Sequence, residues 1–221
     1  PFCFDAGLST LARVCSVPVM TMFISPPELS RPLRLVFMGT PDFAVPSLRA
    51  LLDSEDEVVG VVAQPDKPSG RRMILHAPPV KKFASAHSVP VFQPQKIHTA
   101  ETLAHLRDWQ PDLIVVAAYG RILARPILDL PSYGCINVHA SLLPKYRGAA
   151  PIQWAIARGE THSGVTIMKI SEQMDAGDIL LQTQVELADN ETGGSLHDTL
   201  AILGAQALVE ALALFKQGKL F

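Results

Sequence analysis

Short runs of aliphatic and β-branched residues alternate along this chain with longer stretches whose apolar positions recur every three or four residues. That alternation predicts β-α-β units wound around a parallel sheet. RLVFMG (34–39) and EVVGVVA (57–63) read as buried strands, and PDLIVVAAYG (111–120) as the central one, because their apolar runs are unbroken. Helices are predicted over DFAVPSLRALLDS (42–54), near Val80–His87 and over Ala100–Trp109, with a short strand at Val89–Phe92 between the last two. Thr40 is the expected N-cap of the first helix and Pro41 its first helical residue. GCINVHA (134–140) predicts another interior strand, followed by a Pro- and Gly-rich loop and the helix PIQWAIARG (151–159). SGVTIMKIS (163–171) and DILLQTQVEL (178–187) predict a strand pair, and Ser195–Lys216 a long amphipathic helix. The expected fold class is α/β, with a mostly parallel twisted sheet and helices on both faces.

The 221 residues, 48% hydrophobic, suffice for one such domain with a two-sided core. Residues 1–30 do not fit the pattern: their apolar stretch is broken by Asp5, Arg13 and Pro18, too short and too interrupted to span a membrane. A secretory signal needs a basic start and an unbroken apolar centre, and here the first charge is Asp5. Residues 1–33 are therefore expected to be a tail or an over-extended reading frame, and residues 34–218 the folded domain. Cys3, Cys15 and Cys135 are odd in number and widely spaced, which speaks against a disulfide framework or a zinc site and for a reducing, cytoplasmic setting. A net charge of −2 does not announce a nucleic-acid binder, so any such role rests on a local patch.

Candidate chemistry gathers after the strand at 134–140. Asn137 and His139 lie two apart, so both face the same side of the sheet near the strand's carboxyl end, where open α/β sheets bind ligands. A lone strand histidine more often closes a core hydrogen bond. Three neighbours favour a site here: the loop Ser141-Leu142-Leu143-Pro144, with two leucines expected to be exposed as an apolar wall; the slender KYRGAAP (145–151); and the acidic turn Met174–Asp178, which could bring Asp175 to His139.

The runs INVHASLLPKYRGAAPIQWAI and GVTIMKISEQMDAGDI resemble the signature of the folate-dependent formyltransferases, over a stretch extending from about Arg34 to Gly218. The resemblance implies a Rossmann-like domain and 10-formyltetrahydrofolate as co-substrate, with Asn137, His139 and Asp175 matching the family's catalytic trio. It places the folate beside Ser141, Leu142, Leu143 and Pro144. MGTPDFA (38–44) and AQPDKPSGRR (63–72) are similar to the methionyl-tRNA formyltransferase branch, which implies initiator methionyl-tRNA as partner and a basic loop, with Lys67, Arg71 and Arg72, approaching it. The resemblance also implies that this branch carries a smaller C-terminal β-barrel, which is not expected within these 221 residues.

Read without the family, Lys67, Arg71, Arg72, Lys81 and Lys82 stand against Asp66 alone, as a phosphate-binding patch would. In the implied acyl transfer, Asn137 and a protonated His139 stabilise the developing oxyanion, while Asp175 holds the imidazole and helps remove the amine proton. No metal and no covalent intermediate are needed, so Cys135 is expected in the core. A monomer is expected, without membrane attachment. A nucleotide-binding dehydrogenase is disfavoured because the first turn, GTPDF, has one glycine where the dinucleotide fingerprint wants three. A non-catalytic folate- or RNA-binding module would not require the Asn, His and Asp together.

Overall fold

Runs that are apolar at every position bury both faces, and the sheet is built from them. The computed structural model describes residues 29, 31–69 and 74–220. β1 (Arg34–Gly39) and β6 (Leu113–Ala117) are buried along nearly their whole length and pair in parallel at the centre. β2 (Glu57–Val62) and β5 (Val91–Phe92) extend the parallel sheet beyond β1, and β7 (Cys135–His139) extends it beyond β6. β8 (His162–Lys169) and β9 (Ile179–Glu186) then continue it antiparallel, giving the order β5-β2-β1-β6-β7-β8-β9. The order turns back between β1 and β6, which opens a crevice at the carboxyl ends of these strands.

Alternate strand residues feed two cores, one on each face. Phe37, Val115, Val138 and Ile167 face α1 (Val45–Leu52), α2 (Pro79–Ala86), α5 (Pro151–Ala157) and α6 (Gly193–Lys216). Met38, Ile114, Val116 and Cys135 face α3 (Ala100–Asp108) and the single-turn α4 (Arg125–Leu128). α6 is long and apolar enough to cross a bilayer by composition alone, yet it lays Leu196, Leu200, Leu208 and Leu212 against the sheet. Gly204 makes that approach close: a methyl group there would stand 2.8 Å from Val138 Cγ1, so α6 lies directly on the strand that carries Asn137 and His139.

Two local expectations are corrected. Thr40 does not cap a helix; its hydroxyl donates to the Tyr119 carbonyl at 3.1 Å, joining the ends of β1 and β6. The turn Asp42–Ala44 is a 3-10 helix with no side-chain cap, and Pro46, not Pro41, stands in the first turn of α1. The loop after β2 also holds a hairpin that the periodicity did not signal, β3 (Lys67–Ser69) with β4 (Ile74–His76).

Packing begins slightly before Arg34. Leu33 is buried, the Leu29 amide donates to Lys216 O at 2.9 Å, and Arg31 forms a fork with Asp112 at 2.7 Å on both arms. The Arg31 guanidinium, and after burial acting the other way the Arg34 amide, hold the Asp112 carboxyl below the usual carboxylate range. A carboxyl whose pKa is lower folded than unfolded contributes fully above about pH 4 and loses its contribution as pH falls through the folded value. Urea unfolding at neutral and acid pH is expected to show Asp112→Asn less stable at pH 7 and less acid-sensitive than the wild type. Equal pH slopes would remove Asp112 from the acid response.

Candidate active site

β7 alternates so that Ile136 and Val138 enter the α6 core while Asn137 and His139 turn to the other face. Asn137 is half-buried, and its amide has no hydrogen-bond partner among the described residues. His139 is 6% exposed and is held on both sides. Its Nε2 lies 2.9 Å from the Tyr146 carbonyl oxygen, which can only accept, so Nε2 carries the proton. Its Nδ1 faces Asp175 Oδ2 at 3.7 Å, beyond a hydrogen bond but within reach of a charge contact. The same Asp175 oxygen accepts the Gly148 amide at 2.8 Å. Strand, loop and acidic turn therefore converge on one imidazole.

That convergence needs unusual backbone. Tyr146, Ala150 and Asp175 all have positive φ, at 57°, 60° and 46°, and Gly148 joins them at 82°. Non-glycine residues held there cost on the order of 1–3 kcal/mol each, so surrounding contacts must over-determine them. Tyr146 has such contacts. Its phenol donates to Glu160, which also receives Lys145 Nζ on both oxygens, and the Arg158 guanidinium lies 5.6 Å over the ring. The hydrogen bond from Tyr146, then that from Lys145, lowers the Glu160 carboxyl, and the same bond to Glu160 raises the phenol.

The loop Ser141–Pro144 is built differently from expectation. Leu143 is 5% exposed and Leu142 half-buried, lying against Gly164, so neither is an exposed wall; of the four, only Pro144 is exposed. The reason is Thr166, fully buried on β8 opposite His139. Its hydroxyl donates to Ser141 O at 2.7 Å and accepts the Leu143 amide at 3.1 Å, while Gln182 Nε2 donates to Leu143 O at 2.9 Å. The Leu143 amide is thereby committed within the protein, and its carbonyl already accepts one internal hydrogen bond. Ser141 Oγ likewise donates to Lys145 O at 2.7 Å. Exposed apolar surface comes instead from Met174, beside Gly148, and from Ile122, beyond the carboxyl end of β6. Sequence reasoning missed Thr166 and Gln182; the only signal was one polar residue inside the otherwise apolar run GVTIM.

Elsewhere the basic patch is smaller than its residue count. Lys81 Nζ is paired to both oxygens of Asp66 at 2.8 and 2.9 Å, and Gln93 donates to that carboxylate as well. Lys67 is exposed on the hairpin and donates to Gln64 Oε1 at 2.9 Å. Arg71 and Arg72 lie outside the described residues. Cys135 is buried, with its thiol pushed up to about 12 by desolvation, so it is core and no nucleophile at neutral pH.

Residues 33–212 match the formyl transferase family. The chain belongs to that family. It is 57% identical over 186 residues to the methionyl-tRNA formyltransferase of Desulfotalea psychrophila, which covers 84% of this chain and 58% of that protein. It is 54% identical to the enzyme of the same name from Pelotomaculum thermopropionicum, over 84% of this chain and 59% of the relative. The chain thus spans less than three-fifths of the length of these curated relatives. Among solved structures, glycinamide ribonucleotide transformylase 1 from Symbiobacterium toebii superposes with a TM-score of 0.70 at 21% identity, covering 85% of this chain and 89% of that one. That likeness is one of fold: the same mostly parallel sheet with helices on both faces serves a formyl transferase of another name.

Proposed function

We propose that this formyl transferase domain moves the formyl group of 10-formyltetrahydrofolate to the amino group of methionyl initiator tRNA, a step of translation initiation in the cytoplasm. The observation that carries the reading is the convergence of three groups. The Asn137 side-chain amide, without a hydrogen-bond partner among the described residues, stands two residues from an imidazole whose ring nitrogens face the Tyr146 carbonyl and the Asp175 carboxylate. The relatives' name supplies the acceptor, and the chemistry of the trio supplies the reaction class.

The amine adds to the formyl carbon, and the formyl oxygen takes up negative charge. Asn137 donates to that oxygen from a half-buried position, where such a bond is worth more than in water. The Nε2 proton of His139 reaches it when the oxyanion displaces the Tyr146 carbonyl, a neutral acceptor giving way to a charged one. Asp175 faces the other ring nitrogen and stands where it can take the proton that the attacking amine gives up. As the carbon–nitrogen bond of the folate breaks, that proton ends on the departing nitrogen, leaving an N-formyl amine and tetrahydrofolate. The pterin would lie across the exposed apolar surface near Ile122 and Met174, with the Ser141–Pro144 loop as its floor.

The deciding experiment incubates the chain with 10-formyltetrahydrofolate, charged initiator tRNA and a free small amine, and follows which amine is formylated. Formyl-methionyl-tRNA as the main product is expected. Hydrolysis of the folate alone would replace this reading with that of a hydrolase. Replacing Arg71 by alanine is expected to weaken tRNA use and to flatten its salt dependence by about one counterion, with folate affinity unchanged. A fall in folate affinity in that variant would assign Arg71 to the pterin side instead.

A further inference from the structure

Tyr146 faces two ways. Its carbonyl oxygen takes the Nε2 proton of His139 at 2.9 Å, while its phenol reaches away to Glu160, in the turn between α5 and β8. Glu160 receives Lys145 Nζ at 3.0 and 3.1 Å as well, so two consecutive side chains of the loop are fastened to one carboxylate. We infer that Glu160 is a positioning residue: by clasping the Tyr146 phenol and Lys145, it holds the Tyr146 carbonyl on His139 and so decides which ring nitrogen carries the proton.

The argument starts from the backbone. Tyr146 sits at φ 57°, a region that a tyrosine leaves unless it is held, and leaving it swings the carbonyl away from His139. The groups on either side are tied inside the site, Lys145 O by the Ser141 hydroxyl at 2.7 Å and Gly148 N by Asp175 at 2.8 Å. Tyr146 itself is held from outside by the Arg158 guanidinium over its ring and by the clasp to Glu160, and among the described residues that clasp is the one hydrogen bond its side chain makes. With the carbonyl in place, the neutral imidazole carries its proton on Nε2 and turns its Nδ1 lone pair toward the Asp175 carboxylate. Without it, the stronger acceptor is Asp175, and the proton moves to Nδ1. Glu160 thus works against Asp175 for the ring proton without touching either nitrogen, and keeps that proton on Nε2, from which the oxyanion takes it by displacing the Tyr146 carbonyl. The tautomer part of this inference stands on geometry alone; its effect on turnover rests on the reading of His139 as the reacting imidazole.

The test uses the 221-residue chain labelled with 15N at histidine, the His139 signals being identified by their loss in His139→Gln. In the neutral form the wild type is expected to show the Nε2–H tautomer as the major species. Tyr146→Phe and Glu160→Ala are each expected to raise the share of Nδ1–H roughly fivefold, the worth of one hydrogen bond, and to lower kcat by a similar factor with KM for the formyl donor unchanged. Glu160→Gln, which retains an acceptor for the phenol, is expected to fall between and guards against loss of folding in the alanine variant. An unchanged tautomer ratio in folded Tyr146→Phe and Glu160→Gln overturns the inference. A shifted tautomer with wild-type kcat supports the clasp and counts against His139 as the reacting group, so the two ideas fail separately.

Discussion

Replacing His139 with alanine is expected to lower kcat for formyl transfer by roughly two to four powers of ten, the range for losing an oxyanion donor or a general acid–base group. The variant also leaves the Tyr146 carbonyl without its donor and the Asp175 carboxylate facing no imidazole. Some loss of stability will accompany the kinetic one, so a thermal melt must be run beside the rate measurement. Because His139 is 6% exposed and held from both sides, its contribution to ground-state binding of the folate is small, and KM for the formyl donor should barely move. Turnover at the wild-type rate in a folded variant would take His139 out of the chemistry. It would leave Asn137 as the remaining donor of the trio near the carboxyl end of β7.

The second large effect is expected at a residue that touches no substrate. A methyl group on Gly177 would stand 1.9 Å from the Lys169 carbonyl oxygen and 2.9 Å from its carbon, both backbone atoms that cannot rotate aside. The turn is closed just there, by the Lys169 amide donating to Asp178 O at 2.9 Å, and Asp175 lies inside it at φ 46°. Gly177→Ala must open the turn and carry Asp175 off His139. Overpacking of this kind destabilises by about 1–3 kcal/mol, and the backbone contact puts it at the upper end. A displacement near 1 Å costs about a hundredfold in rate. Urea midpoints and kcat measured together check both parts. Gly193→Ala, with open space around the added methyl at the start of α6, is the control and should leave the rate unchanged and the urea midpoint unchanged or slightly raised. If Gly177→Ala loses stability but keeps its rate, the position of Asp175 does not matter to the reaction.

The elements were legible because each follows from a local rule. RLVFMG became β1 over the same six residues, and the unbroken run at 111–120 holds the central strand, since a strand covered on both faces must be apolar throughout. The pairing of Asn137 and His139 on one face followed from the two-residue repeat of a strand. What failed were inferences about exposure. Leu142 and Leu143 follow a polar pair and precede Pro144, and nothing local signals that Thr166, more than twenty residues later, draws their backbone inward. Likewise Lys81 counts as a free cation in the sequence, and only the return of α2 beside the β2 loop places it on Asp66.

The sequence alone determined the fold class, the strand and helix periods and the family, and singled out Asn137, His139 and Asp175 as candidates, because periodicity and short-range spacing are encoded within a few neighbouring residues. Tertiary structure decided the rest: that His139 is gripped by Tyr146 and Asp175, that Glu160 anchors the loop from behind, and that the leucines of 141–144 turn inward. Those facts depend on pairs separated by seven to thirty-nine residues. Such contacts form only where the chain after β7 folds back on it, through the loop and α5 and then the antiparallel extension β8–β9, and a one-dimensional pattern carries no measure of that distance.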